Sequence, residues 1–292
     1  MRLFCLFRIT LIIPAILTFY IVKAQDNKRI IEGNLHQLIA IRNEVLAAEN
    51  DSTRFRENED FIILLENTLQ LNGAFKANLD SIPNMVSFLP DNKKFKLINW
   101  NVPYDNGEQK YFGFIQVWNK KKKRYYLYKL NDKSDEYEEP DYKRLNTSNW
   151  YGALYYDVIP VKDRRKKYYV LLGWDGFSNI MSQKIIDVLY FSSSGTPIFG
   201  KDVFKMGRRT KRRVIFKFAG DAIMSLKFNK KENRIVFDHL SPRTESLKGS
   251  YQFYGPDFTY DALELKKRKW YLIENINAQG QRKNDRPYTA PK

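Results

Sequence analysis

The 292-residue chain carries 50 Lys and Arg against 33 Asp and Glu, a formal charge of +17, and has two histidines and a single cysteine, Cys5. One thiol can close no internal disulfide, and two histidines with one cysteine make a poor set for a conventional zinc centre. No glycine-rich phosphate loop, Walker sequence or dinucleotide fingerprint occurs, so neither a nucleotide cofactor nor a metal is expected.

The first 24 residues read as an export signal. Arg2 and Arg8 form a positive n-region, Ile9 to Val22 is apolar, and Val22-Lys23-Ala24 places small residues at −3 and −1. The apolar run falls short of the roughly 20 residues that cross a bilayer. Cys5 lies far from the cleavage point, which argues against a lipoprotein. Cleavage before Gln25 removes Cys5 with Arg2, Arg8 and Lys23 and lowers the formal charge from +17 to +14. About 270 residues then remain, enough for one large core or two small ones. No later run is apolar enough to span a membrane.

Residues 25–90 read as a helical region. Ile31, Leu35, Leu38, Ile39, Val45 and Leu46 recur at helical spacing, and Asn50-Asp51-Ser52-Thr53 breaks the run and can cap a second helix. Phe55, Ile62, Leu65 and Leu69 continue the stripe to Asn72-Gly73, so a helical hairpin is expected over Lys28–Asn72, packed on the rest of the protein. Such a hairpin also offers a docking face for an envelope protein.

From residue 91 to 277 the pattern is one of short aromatic and β-branched runs separated by Gly, Asn, Asp and Lys clusters. Strands are expected near Phe95–Trp100, Tyr111–Trp118, Arg124–Leu130, Tyr151–Val161, Tyr168–Trp174, Lys184–Phe191, Val214–Phe218, Ala222–Phe228, Arg234–His239 and Trp270–Glu274. Short connections imply an antiparallel meander paired in chain order. The expected fold is therefore α+β and mostly β, with the meander closing as a barrel, a sandwich or a partial propeller. The tail over 278–292 is polar and without periodicity, as in a disordered segment.

Four basic runs each lead into an aromatic strand: Lys120 to Arg124, Arg164 to Lys167, Arg208 to Arg213, and Lys266 to Lys269. If these tips gather on one face they make a polyanion site, with Lys121, Lys122, Arg164, Arg165, Arg208, Arg209, Arg212 and Arg213 as its cations. Reversing the last four should then cost affinity and little stability, as for exposed charges. The plainer alternative is that these are solvated turn tips. The acidic stretch from Asn131 to Asp141 lacks the glycine of a calcium loop and reads as a solvated loop that can pair with a basic neighbour.

Three polar segments exceed what turns require: Gly173 to Asn179, Asp238 to Arg243, and Tyr254 to Asp261. Asp175 with Asp257 or Asp261 could serve as the carboxylate pair of a glycoside hydrolase, and His239 beside Asp238 as a general base. Neither Ser178 nor Ser241 lies in a Gly-x-Ser-x-Gly elbow. Ordinary turn chemistry explains the same residues without catalysis.

Asn99-Trp100-Asn101, Tyr111 to Gln116, Leu172 to Gly176, Ile235 to Pro242, and Tyr254-Gly255-Pro256-Asp257 with Tyr260-Asp261 together resemble a family of uncharacterised exported proteins of Bacteroidota-type bacteria. The resemblance runs from the helical part to Asn275. It implies a Gram-negative envelope setting, with the periplasm or the inner face of the outer membrane expected rather than release, and since that family has no assigned activity it carries over no functional residues. The expected function is a non-catalytic binding or structural module for an anionic or carbohydrate polymer such as lipopolysaccharide, with no nucleic acid partner. The alternative is a carboxylate-dependent hydrolase of envelope glycans.

Overall fold

The computed structural model describes residues 4–276 except 92 and 165, with side chains from 25 onward. The expected tail falls outside the described residues, as does Arg165. Two N-terminal helices precede fifteen described strands, and the fold is α+β and mostly β.

Helix α1 (Phe4–Ala47) includes the segment read as the export signal. No helix among the described residues is long and apolar enough to cross a membrane. Helix α2 (Asp51–Gln70) starts where the capping sequence places it: Asn50 accepts from the Thr53 N–H at 2.9 Å. Four strands follow, β1 (Met85–Phe88), β2 (Phe95–Pro103), β3 (Gln109–Asn119) and β4 (Arg124–Asn131), paired antiparallel in chain order.

These helices and strands belong to one compact unit, which also takes in 145–156 and 191–198. Leu38, Val45, Phe61, Ile62 and Leu65 bury their apolar stripe on Ile98, Trp100 and Phe114 of the sheet. Trp100 donates its indole N–H to Asn58 at 2.9 Å, and the buried Arg42 guanidinium spans the carbonyls of Pro83, Asn84 and Asn101.

The second unit comprises 138–144, 157–190 and the chain from 199. Its first sheet uses the larger parts of β5 (Leu154–Asp163) and β7 (Met181–Phe191) with β6 (Lys166–Ser178) and β11 (Val214–Ala219), in the order β11-β7-β6-β5, while most of the short β8 (Pro197–Phe199) belongs to the first unit. Its second sheet uses β9 (Phe204–Lys205), β10 (Thr210–Lys211), β12 (Leu226–Asn229), β13 (Arg234–Pro242), β14 (Tyr254–Lys266) and β15 (Lys269–Ile273), in the order β10-β9-β15-β14-β13-β12. Val170, Leu172, Ile186 and Val188 from the first sheet share one core with Ile235, Phe237, Leu263 and Trp270 from the second.

Pairing departs from a simple meander in two places. β9 lies parallel to β15, Phe204 opposite Trp270, and β11 returns to β7 across an intervening excursion. The segment Tyr254–Asp261, read from sequence as turn-like, opens the 13-residue strand β14. Gly255 and Pro256 pair with Ser241 and Leu240, and the ladder is interrupted just beyond them by a bulge.

Candidate functional site

Two clusters in the second unit draw together residues that the sequence keeps apart. The first is built on the irregular pairing of β13 with β14. Asp238 faces Tyr260 and Leu240 faces Pro256, so His239 alone opposes Asp257, Phe258 and Thr259. The surplus residues bow outward. Phe258 takes φ +68 and is 93% exposed, an outlier for a bulky side chain.

The bulge leaves two carboxylates around one imidazole. His239 Nδ1 lies 2.8 Å from Asp261 Oδ2, and its Nε2 lies 3.9 Å from Asp257 Oδ2. Asp261 is buried, and its Oδ1 accepts the Asn275 N–H at 3.1 Å. The hydrogen bond to Asp261 raises the His239 pKa against partial burial, and the charges of Asp261, Asp257 and Glu274 add to it. Burial pulls Asp257 upward, but its bonds from Thr259, the nearby His239 and the Ser241 hydroxyl outweigh that and hold its pKa low. Chemically, this is an imidazole held by one carboxylate, with its second nitrogen able to take or release a proton.

The other carboxylates do not join it. Asp238 turns toward the start of β12 and accepts the Ser225 N–H at 2.7 Å. Asp175, buried in β6, accepts the Phe177 N–H at 2.9 Å, an Asx turn. The four candidate acids therefore do not converge. Asp261 has both oxygens engaged by His239 and Asn275, which is not the open carboxylate pair of a glycoside hydrolase. Among the described residues no three His, Cys, Asp or Glu side chains are grouped to hold a metal ion.

The second cluster is cationic. Asp163, at the β5–β6 turn, lies 3.3 Å from Lys201 and 4.0 Å from Arg268. Asp202 pairs with Arg212 at 2.7 Å, and its carbonyl accepts from Lys269. Two of the four basic runs, with Lys201, thus meet around Asp163 and Asp202. Desolvation lowers the Lys269 pKa first; Asp202 and Asp163 oppose this, while Lys205 and Lys201 lower it further. Lys201 also lies 5.8 and 5.5 Å from the ring centres of Tyr168 and Tyr190. Arg268 and Lys269 come from a run that the sequence singled out, whereas Lys201 and Lys205, outside any run, were missed.

The Arg208–Arg213 run divides by role. Arg208 is exposed. Arg209 stacks over Tyr142 at 3.6 Å and lies 3.8 Å from Glu139. Lys211 pairs with Asp141 at 2.8 Å, so the run lies against the acidic loop. Arg213 is fully buried and held by Asp187, and cannot reach a polymer. Arg164 is exposed at its turn, and Lys121 and Lys122 are exposed in the first unit.

The acidic stretch is correspondingly structural at both ends. Asp132 is buried and accepts from the backbone N–H of Tyr111, Ser134 and Gly152. Any side chain at Gly152 would strike the Asp132 carboxylate, 2.4 Å from its nearest atom. A separate cleft of about 310 Å³ is lined by Ile180, Asp221, Arg243, Gln252 and Phe253, with Arg243 and Asp221 paired at its rim.

Comparison with known proteins adds nothing to this geometry: no family model, no curated protein and no solved structure matches the chain.

Proposed function

We propose that this is an exported protein of a Gram-negative envelope that binds an anionic polymer through the cationic face around Asp163 and Asp202. The signal-like N-terminus and the sequence resemblance support the setting. The net charge and the meeting of two basic runs with Lys201 support the ligand class.

One observation carries the reading. The β14–β15 turn has two central residues, Lys267 at φ +48 and Arg268 at φ +70. Such turns favour Asn-Gly because both positions are left-handed, and other L-residues lose about 1–2 kcal/mol at each. Cations occupy these positions against backbone preference. Strain of this kind is a pointer to function when an alternative residue would fold better.

Changing Lys267→Asn together with Arg268→Gly tests the point, because stability and binding should move in opposite directions. The melting temperature should rise by about 2–4 °C per kcal/mol recovered. Affinity for heparin, used as a soluble polyanion, should fall roughly tenfold, and its dependence on salt should flatten as fewer counterions are released. Unchanged heparin affinity in the stabilised variant would end the proposal.

A further inference from the structure

The β3–β4 hairpin of the first unit carries a different surface. Lys120, Lys121, Lys122, Lys123 and Arg124 follow one another at its tip, and all are exposed. The turn is set: Asn119 accepts the Lys122 N–H at 2.9 Å, and Lys123 takes φ +49. Among the described residues, none of the four lysines has a carboxylate within ion-pair distance, in contrast to Lys201, Lys211 and Arg212.

Directly behind the tip, Trp118 and Tyr125 face each other across the strands with ring centres 4.9 Å apart. They are 37% and 40% exposed. Tyr125 stacks at 4.2 Å on Phe75, which is buried, so the aromatic edge is backed by the core. Of the other tryptophans, Trp100, Trp150 and Trp270 are fully buried and Trp174 is half-buried, which leaves Trp118 as the exposed indole.

A small inorganic anion would engage the lysines and make no use of the rings. Amphipathic Trp and Tyr rings settle at the headgroup level of a bilayer. Lysines beside them reach lipid phosphates, each strengthening partitioning to an anionic leaflet by about fivefold. The unpaired charge of the tip is complementary to that leaflet. We propose that the β3–β4 hairpin docks on the surface of an anionic phospholipid membrane, with Trp118 and Tyr125 at the interface and Lys120 to Lys123 on the phosphates. This contact is peripheral and independent of the polymer-binding face.

The test uses the full chain and vesicles of phosphatidylcholine, part of it brominated, with or without phosphatidylglycerol. Reading tryptophan quenching isolates the hairpin from any other part of the chain that meets lipid. Quenching should require phosphatidylglycerol, disappear at high salt, and be largely lost in Trp118→Phe, with thermal unfolding unchanged. Lys121→Gln with Lys122→Gln should raise the lipid concentration for half-quenching by about 25-fold, on the same per-lysine factor. Quenching that persists in Trp118→Phe, or that is equal without phosphatidylglycerol, would overturn the proposal. So would heparin binding weakened by the lysine changes with no lipid quenching, which would assign the tip to a polymer instead.

Discussion

Arg213 grips Asp187 through Nε and Nη2, both on the same carboxylate oxygen at 2.9 and 2.8 Å, with both side chains wholly buried. The other Asp187 oxygen accepts the Val188 N–H at 2.7 Å, and Arg213 Nη1 donates to the Pro140 carbonyl at 2.7 Å. This pair ties the loop after β10 to β7 and to the acidic segment.

Removing one member strands the other charge in the core. Arg213→Met should destabilise the protein by about 3–5 kcal/mol, and joint replacement of Arg213 and Asp187 by apolar residues should recover much of that. Denaturant unfolding of the two singles and the double measures it. Additive losses would show that the pair is not coupled. Charge reversal at Arg213 therefore probes folding, not polymer affinity, which corrects the expectation that the run is uniformly exposed.

His239 should titrate above the ordinary histidine value of 6.5. A folded-state pKa raised in this way contributes stability that is complete below 6.5 and is lost as pH rises through the folded value. Asp261→Asn keeps an acceptor and removes the charge, so the His239 midpoint should fall and the low-pH advantage should shrink. Proton NMR of the imidazole, assigned with His239→Gln, reads the midpoint directly. An unmoved midpoint would show that Asp261 does not set it.

Lys96 offers a pH effect of opposite sign. It is 2% exposed, its Nζ donates to the Ala77 carbonyl at 2.8 Å, and desolvation lowers its pKa from 10.5 to about 8, against the opposing charge of Asp80. Keeping that ammonium charged in the core costs up to about 3 kcal/mol, while its hydrogen bond returns about 1 kcal/mol. The penalty is full below pH 8 and fades between about 8 and 10.5. Lys96→Met should thus stabilise at pH 7 by roughly 1–2 kcal/mol, with the gain shrinking toward pH 10. Parallel melts of parent and variant at the two pH values check it. A variant less stable at pH 7 would show that the bond to Ala77 outweighs desolvation.

Local patterns carried the sequence a long way. Helical spacing from Ile31 to Leu69 and the Asn50 cap determined the two helices, because each signal lies within a few turns of chain. Alternating aromatic and β-branched runs likewise determined a mostly antiparallel β fold. What the residues do to one another was decided only in three dimensions. Arg208 to Arg213 look alike in sequence, yet Arg208 meets solvent and Arg213 is buried, because Asp187 lies on a strand that β11 joins across a long excursion. His239 was read beside Asp238, but alternation along β13 and the extra residues of β14 turn Asp238 away and bring Asp257 and Asp261 to the imidazole. The cationic face formed in the same way, from Lys201, Arg212, Arg268 and Lys269 on segments far apart in the chain. Burial and charge pairing depend on strand partners and bulges, which no short window of sequence contains.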